Sequence, residues 1–163
     1  MFEEQLLNPS YHVRKAFKSG VAELDNYLHC FAAQQSKKSI AVVRVLVNTK
    51  NPTEILGYYS LSAAQIDVSQ MDAQTQKTLP RYPVPCFRLG RLAAHIEHRG
   101  QGIGRLLLGC AMERCLEARK HVGAYALIVD AKNEAAQSFY AHYGFTACND
   151  NPMTMYLSIA EAT

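Results

Sequence analysis

Phe87-Arg88-Leu89-Gly90-Arg91-Leu92-Ala93-Ala94-His95, then Arg99-Gly100-Gln101-Gly102-Ile103-Gly104-Arg105, then a long amphipathic run, decide the fold of this chain. The order reads strand, tight glycine turn, helix. Glycines at 100, 102 and 104 permit positive φ and let the backbone come close to a ligand. A helix starting at Ile103 offers N–H groups without intrahelical partners, at the positive end of its dipole. That suits phosphate oxygens. On its residues alone the turn is an anion-binding candidate. The bland alternative is a β-to-α turn that binds nothing.

Two better-known glycine turns do not fit. A dinucleotide-binding fingerprint needs G-x-G-x-x-G and an acidic residue about 20 positions later. Here Gly104 is followed by Arg105, Leu106 and Leu107, and the later region reads Arg119-Lys120-His121. A P-loop needs Gly-Lys before Ser or Thr, and the chain has no Gly-Lys pair.

Composition bounds the rest. A chain of 163 residues, 48% hydrophobic and 19% charged, is expected to form one globular domain, 1–163, with its own core. A net charge of +3 admits an anionic co-substrate without arguing for nucleic acid. The acidic start Met1-Phe2-Glu3-Glu4-Gln5 leads into no long apolar run. No signal peptide or membrane span is expected, and the location is read as cytoplasmic. Cysteines 30, 86, 110, 115 and 148 form no CxxC pair and read as reduced, mostly buried thiols. His95-x-x-His98 brackets Glu97, but no Cys or carboxylate constellation completes a metal site, so no metal is expected.

Along the chain, Val21, Leu24, Leu28, Phe31 and Ala32 recur at helical spacing and predict one apolar helical face, with Ser19-Gly20 as its cap. Ile40–Val47 reads as a strand, 48–52 as a turn and Ile55–Ala63 as the returning strand. Pro80, Pro83 and Pro85 argue against a helix in 66–85. Phe87–His95 is the next strand. Ile103 to about His121 is a helix with Ile103, Leu107, Cys110, Ala111 and Ala118 inward. Tyr125–Val129 reads as a central buried strand. Glu134–Tyr143 is a helix that Gly144 ends, and Phe145–Cys148 and Met153–Ile159 close the sheet. The class is α/β: a mixed central β-sheet with helices on both faces.

The spacing Arg99-x-x-Gly102-x-Gly104 resembles the acetyl-CoA-binding motif of the GCN5-related N-acetyltransferases, the GNAT family, whose pattern is Gln or Arg, x, x, Gly, x, Gly or Ala. Val129-Asp130-Ala131-Lys132-Asn133, continuing to Phe139-Tyr140-Ala141-His142-Tyr143-Gly144-Phe145, resembles the family's second signature. The resemblance implies the GNAT fold and acetyl-CoA as co-substrate. It places the diphosphate on Arg99, Gly100, Gln101, Gly102, Ile103, Gly104 and Arg105. It places the thioester carbonyl on backbone N–H groups of Leu92, Ala93 and Ala94, in the manner of an oxyanion hole. It gives Asn133 a contact to the CoA arm besides its expected N-cap role. Tyr140 becomes the general acid for the departing thiolate, because a phenol of pKa near ~10 keeps its proton at neutral pH. The alternative for Tyr140 is a core aromatic beside Phe139. No base stands out among His95, Glu97 and Asp130. An α-amine of pKa about 7.7–8.0 needs none, unlike a lysine amine near ~10.4.

Phe17-Lys18-Ser19-Gly20 with Leu24-Asp25-Asn26-Tyr27-Leu28 is similar to the N-terminal signature of the acetyltransferase toxins of bacterial toxin–antitoxin pairs. Pro83-Val84-Pro85 and Pro152-Met153-Thr154-Met155-Tyr156-Leu157 extend that likeness. It implies an aminoacyl-tRNA substrate acetylated on the α-amine, with translation blocked. It also implies a ribbon-helix-helix antitoxin partner, and it leaves a homodimer open. Arg14, Lys15, Lys18, Arg88 and Arg91 are then the expected tRNA contacts. The other readings are a GNAT enzyme for a small-molecule or protein amine, and a CoA-binding module without turnover.

Overall fold

The computed structural model describes residues 1–160. Seven strands form one mixed sheet in the order β1-β2-β3-β4-β5-β7-β6. They are β1 (Phe2–Leu6), β2 (Val42–Asn48), β3 (Gly57–Ile66), β4 (Val84–Ala94), β5 (Ala126–Asp130), β6 (Thr146–Ala147) and β7 (Thr154–Ser158). The helices are α1 (Ala22–Asn26), α2 (Ala32–Lys37), α3 (Ala73–Gln76), α4 (Ile103–Ala118) and α5 (Glu134–His142). The described residues divide into two compact units, 1–62 with 91–113, and 63–90 with 114–160.

The first unit is built on the antiparallel pairs β1–β2 and β2–β3. The β-branched run of β2 sets its core. Val43, Val45 and Val47 alternate onto one face and join Phe17, Leu24, Tyr27, Leu28, Ala32 and Tyr58. Gly57, next to Tyr58 and so on the opposite face, lies under Ile103 and Leu107 of α4. Helices therefore cover both faces here.

The helix at 22–37 differs from the expected single face. A π-helical stretch, Tyr27–Phe31, interrupts it. A π turn holds more than the 3.6 residues of an α turn, so the face passes from Tyr27 and Leu28 to Ala32, all buried, and Phe31 is left 45% exposed. The cap also differs. Val21 is the N-cap, without a side-chain bond. Ser19 instead ties the entry turn: its N–H donates to Asp25 Oδ1 at 2.8 Å, and its Oγ to the same oxygen at 2.6 Å.

In the second unit β4 and β5 pair in parallel from Cys86↔Ala126 to Leu89↔Val129, and β7 pairs antiparallel to β5. Ala126–Val129 are buried on both faces, as their unbroken apolar run predicts. The prolines act later than expected. A 3₁₀ turn at Val68–Gln70 and the single turn of α3 precede Pro80. Asp67 accepts from the Ser69 N–H and Asp72 from the Thr75 N–H, so each turn has its own cap. Pro85 lies inside β4, where its carbonyl accepts from the Tyr125 N–H at 2.8 Å.

Strand β1 was not expected in an acidic N-terminus. Glu4 explains it: its carboxylate takes Arg44 at 3.0 Å and the Tyr59 hydroxyl at 2.5 Å. Helix α4 buries Ile103, Leu107 and Ala111 as expected, and adds Leu108 and Cys115. Cys110 and Ala118 are only half-buried. Cys86, Cys115 and Cys148 are buried, Cys110 is half-buried and Cys30 is exposed, all as free thiols. No helix among the described residues is long and apolar enough to cross a membrane.

Candidate active site

The glycine turn lies in the first unit. Gly100 has φ +85° and Gly102 φ +74°, conformations that cost an L side chain about 1–2 kcal/mol. A Cβ at either would meet nothing within 4 Å. Glycine is required there by conformation, and the space over the turn is open. The Leu106 N–H donates to the Gly102 carbonyl at 3.0 Å, which opens the α4 ladder. The N–H groups of Ile103, Gly104 and Arg105 precede that bond and have no acceptor within the helix. Exposed Arg99, Gln101 and Arg105 flank them. Open space, left-handed backbone and orphan donors together suit a diphosphate, so the residues present fit the anionic arm of acetyl-CoA.

Two further glycines set the turn in place, and neither drew attention in the sequence for this reason. At Gly57 a Cβ would stand 2.7 Å from Leu107 Cδ1, 2.9 Å from Ile103 Cγ2 and 3.0 Å from the Ala93 carbonyl oxygen. The start of α4 rests on that bare backbone. Gly20, at φ +90°, would place a Cβ 3.2 Å from Arg99 Nη2. It makes room for the arginine that opens the motif. The segment before it is pinned to the end of β4, because the Ile96 N–H donates to the Lys18 carbonyl at 2.7 Å.

Leu92, Ala93 and Ala94 form the end of β4, beyond the residues that pair with β5. Just before them Arg91 stacks its guanidinium 3.6 Å over the Tyr27 ring. The Tyr58 hydroxyl bonds the Leu24 carbonyl at 2.5 Å, and Tyr27 stacks on Tyr58. Burial pushes both phenols up, the Arg91 charge opposing it. Arg91 is thus held by an aromatic pair, a contact worth about 0.5–2 kcal/mol. Arg14 is half-buried, whereas Lys15 and Lys18 are exposed.

In the second unit Asn133 is the N-cap of α5, its Oδ1 accepting from the Ala136 N–H at 2.9 Å. Gly144 ends that helix at φ +94°, as its sequence position predicts. Tyr140 is buried on α5 while Phe139 is half-buried. Its ring packs edge-on against Phe139 and Phe145. Burial first, and then the Asp130 carboxylate, push its phenol well above the ordinary value of 10. Among the described residues its hydroxyl has no hydrogen-bond partner.

Asp130, read as one of three candidate bases, is already engaged. Arg88 Nη1 donates to its Oδ2 at 2.5 Å and Thr154 Oγ1 to its Oδ1 at 3.3 Å. Glu97 is exposed. His95 is buried and caps the 3₁₀ turn Ile96–His98, its Nδ1 accepting from the Glu97 N–H at 3.2 Å.

The Acetyltransferase (GNAT) domain model matches residues 26–147, and the chain belongs to that family. GNAT enzymes move an acetyl group from acetyl-CoA to an amine. The chain is 29% identical to a tRNA-acetylating toxin of Mycobacterium tuberculosis over 147 residues, 90% of this chain and 86% of that protein. The solved structure of AtaT complexed with acetyl-methionyl-tRNAfMet superposes with a TM-score of 0.89 at 26% identity, covering 97% of this chain and 95% of that one. A tyrosine mutant of AtaT, bound to the C-terminus of the antitoxin AtaR and acetyl-CoA, gives 0.81 at 25% identity, with 96% and 92% covered.

Gly102→Ala is expected to weaken acetyl-CoA binding about tenfold and to cost about 1 kcal/mol of stability, since its φ is left-handed. Calorimetric titration with acetyl-CoA and thermal melting check the two parts. Unchanged affinity would remove the turn from the site.

Proposed function

We propose that this chain is the toxin of a bacterial toxin–antitoxin pair, acetylating the α-amine of aminoacyl-tRNA with acetyl-CoA and so blocking translation in the cytoplasm. The observation that carries the reading is the open, left-handed Gly100–Gly102 turn at the start of α4, in a chain that matches a tRNA-acetylating toxin over 90% of its length. A ribbon-helix-helix antitoxin and a homodimer belong to the same proposal. An AtaT structure with a bound antitoxin supports a partner of that role.

The residues divide the work as follows. Acetyl-CoA supplies a thioester and an anionic handle. The N–H groups of Ile103–Arg105, with Arg99 and Arg105, hold the diphosphate. The N–H groups of Leu92–Ala94 donate to the thioester oxygen as charge builds there. Asn133 touches the CoA arm from the start of α5. Tyr140 donates its hydroxyl proton toward the departing sulfur. Its raised pKa makes it a weaker acid than an ordinary phenol, but one that always carries its proton. With Asp130 bound to Arg88 and Thr154, the site holds no evident base. An α-amine of pKa about 7.7–8.0 is substantially neutral at pH 7–8 and attacks without one.

Arg88 and Arg91 are committed to Asp130 and Tyr27. The tRNA contacts to test are therefore those of Arg14, Lys15 and Lys18, for which no such partner is seen among the described residues. Lys15→Glu and Lys18→Glu should each weaken aminoacyl-tRNA binding several-fold and reduce the slope of log affinity against log salt by about one. Both should leave acetyl-CoA affinity unchanged. An unaltered salt slope would separate segment 14–18 from the RNA and favour a small-molecule or protein amine as acceptor.

A further inference from the structure

Within the first unit a cavity of about 210 Å³ opens between segment 13–17, the β2–β3 connection and His95. Val13, Ala16, Phe17 and Ile55 form apolar walls, and Asn51, Thr53 and Glu54 add polar groups. None of these residues takes part in the acetyl-CoA chemistry above. His95 is 4% exposed and lines the cavity. Because its Nδ1 accepts from the Glu97 N–H, the ring proton sits on Nε2. Among the described residues Nε2 has no hydrogen-bond partner. Nε2 keeps contact with solvent through the cavity, and so can donate to an occupant.

We propose that this cavity receives one unpaired nucleobase of the bound RNA, resting on the aminoacyl-tRNA reading above. Three features select that occupant. The volume is below the roughly 300–1,000 Å³ of sites that enclose a whole small ligand, so it takes one ring-sized piece of something larger. The walls are apolar and include the aromatic Phe17, while His95 offers a donor and the Glu54 carboxylate an acceptor. Stacked bases read along their polar edges need that combination. The segment that forms one wall also carries Arg14, Lys15 and Lys18, cations placed for the phosphates on either side of the base. An acidic peptide would meet the same cations but would be repelled by the Glu54 carboxylate in the cavity wall.

Ala16 is exposed and lines the cavity, so Ala16→Phe fills the space without touching the core. Filter binding of bulk aminoacylated tRNA across a range of salt, with acetyl-CoA titrated in parallel, tests the assignment. Ala16→Phe should weaken tRNA binding about tenfold at every salt concentration, the scale of one lost base stack. The salt slope and acetyl-CoA affinity should stay at wild-type values. Glu54→Gln, a smaller change of one acceptor, should weaken binding several-fold. Undiminished tRNA binding in both variants overturns the proposal. So does a loss of acetyl-CoA affinity with tRNA binding intact, which would assign the cavity to the adenine of the co-substrate. Tighter capture of an acidic peptide than of tRNA by the wild type overturns it as well. If the wild type binds tRNA and loses that binding with Ala16→Phe, yet transfers no acetyl group to it, the base pocket stands and the aminoacyl-tRNA acetylation reading falls.

Discussion

Tyr140→Phe is expected to lower the single-turnover rate of acetyl transfer roughly 10²–10⁴-fold while acetyl-CoA affinity changes less than about threefold. The ring sits between Phe139 and Phe145, and phenylalanine keeps that packing. The hydroxyl has no partner among the described residues, so its removal strands no other group. A hydroxyl that costs nothing to remove structurally and much chemically is a proton donor. The pH dependence adds an independent check. Burial and the Asp130 charge raise the phenol's pKa above 10, so its proton is not lost anywhere in the neutral range. The rate should climb as the amine substrate deprotonates and then stay level to about pH 9.5. A falling limb near pH 8–9 would mean that some other acid is titrating. A wild-type rate in Tyr140→Phe would make the residue part of the packing only.

Gly57→Ala is expected to destabilise the protein by about 1–3 kcal/mol and to weaken acetyl-CoA binding as well. The added Cβ meets Leu107 and Ile103, which are fully buried, and a backbone oxygen. None can swing aside, so the start of α4 must lift, and the orphan N–H groups move with it. Gly109→Ala is the contrasting case on the same helix. Its Cβ meets nothing within 4 Å, and alanine is the better helix former. That variant should gain up to about 1 kcal/mol without altering acetyl-CoA affinity. Chemical denaturation and calorimetry on both variants separate crowding under α4 from a general intolerance of change in it.

Structure is legible in the sequence where one residue type answers one backbone demand. Gly100, Gly102 and Gly144 all take positive φ, and Asn133 caps α5. The continuous run Ala126–Val129 is buried throughout, because its composition leaves no face for water. Local signals failed where the outcome depends on distant partners. Nothing near Glu4 announces a strand. Arg44 and Tyr59 make it one, and both are more than 35 positions away. The π turn at Tyr27–Phe31 has no signature in an apolar repeat, and it moved Phe31 off the face that spacing assigns it. Nothing local distinguishes Gly57 from an ordinary strand residue, because its neighbours Ile103 and Leu107 lie on α4. At the candidate site, Gly100 and Gly102 are legible as turn glycines because positive φ is a demand that glycine answers, whereas Gly104 lies inside α4 without it. The commitments of Arg88 to Asp130 and Arg91 to Tyr27 are not legible, since charge alone does not say which partner a guanidinium finds. In sequence His95 reads only as a candidate base or metal ligand. That its ring lines a cavity follows only from the fold around it.

The proposed acceptor is the α-amine of an amino acid esterified to tRNA. The most direct measurement incubates the protein with radiolabelled acetyl-CoA and bulk aminoacylated tRNA, recovers the tRNA, and hydrolyses the ester with mild base. Label should appear on the charged tRNA and leave with the amino acid as its N-acetyl derivative, with none on deacylated tRNA. Label on a free small amine or a protein, with none reaching charged tRNA, would contradict that assignment.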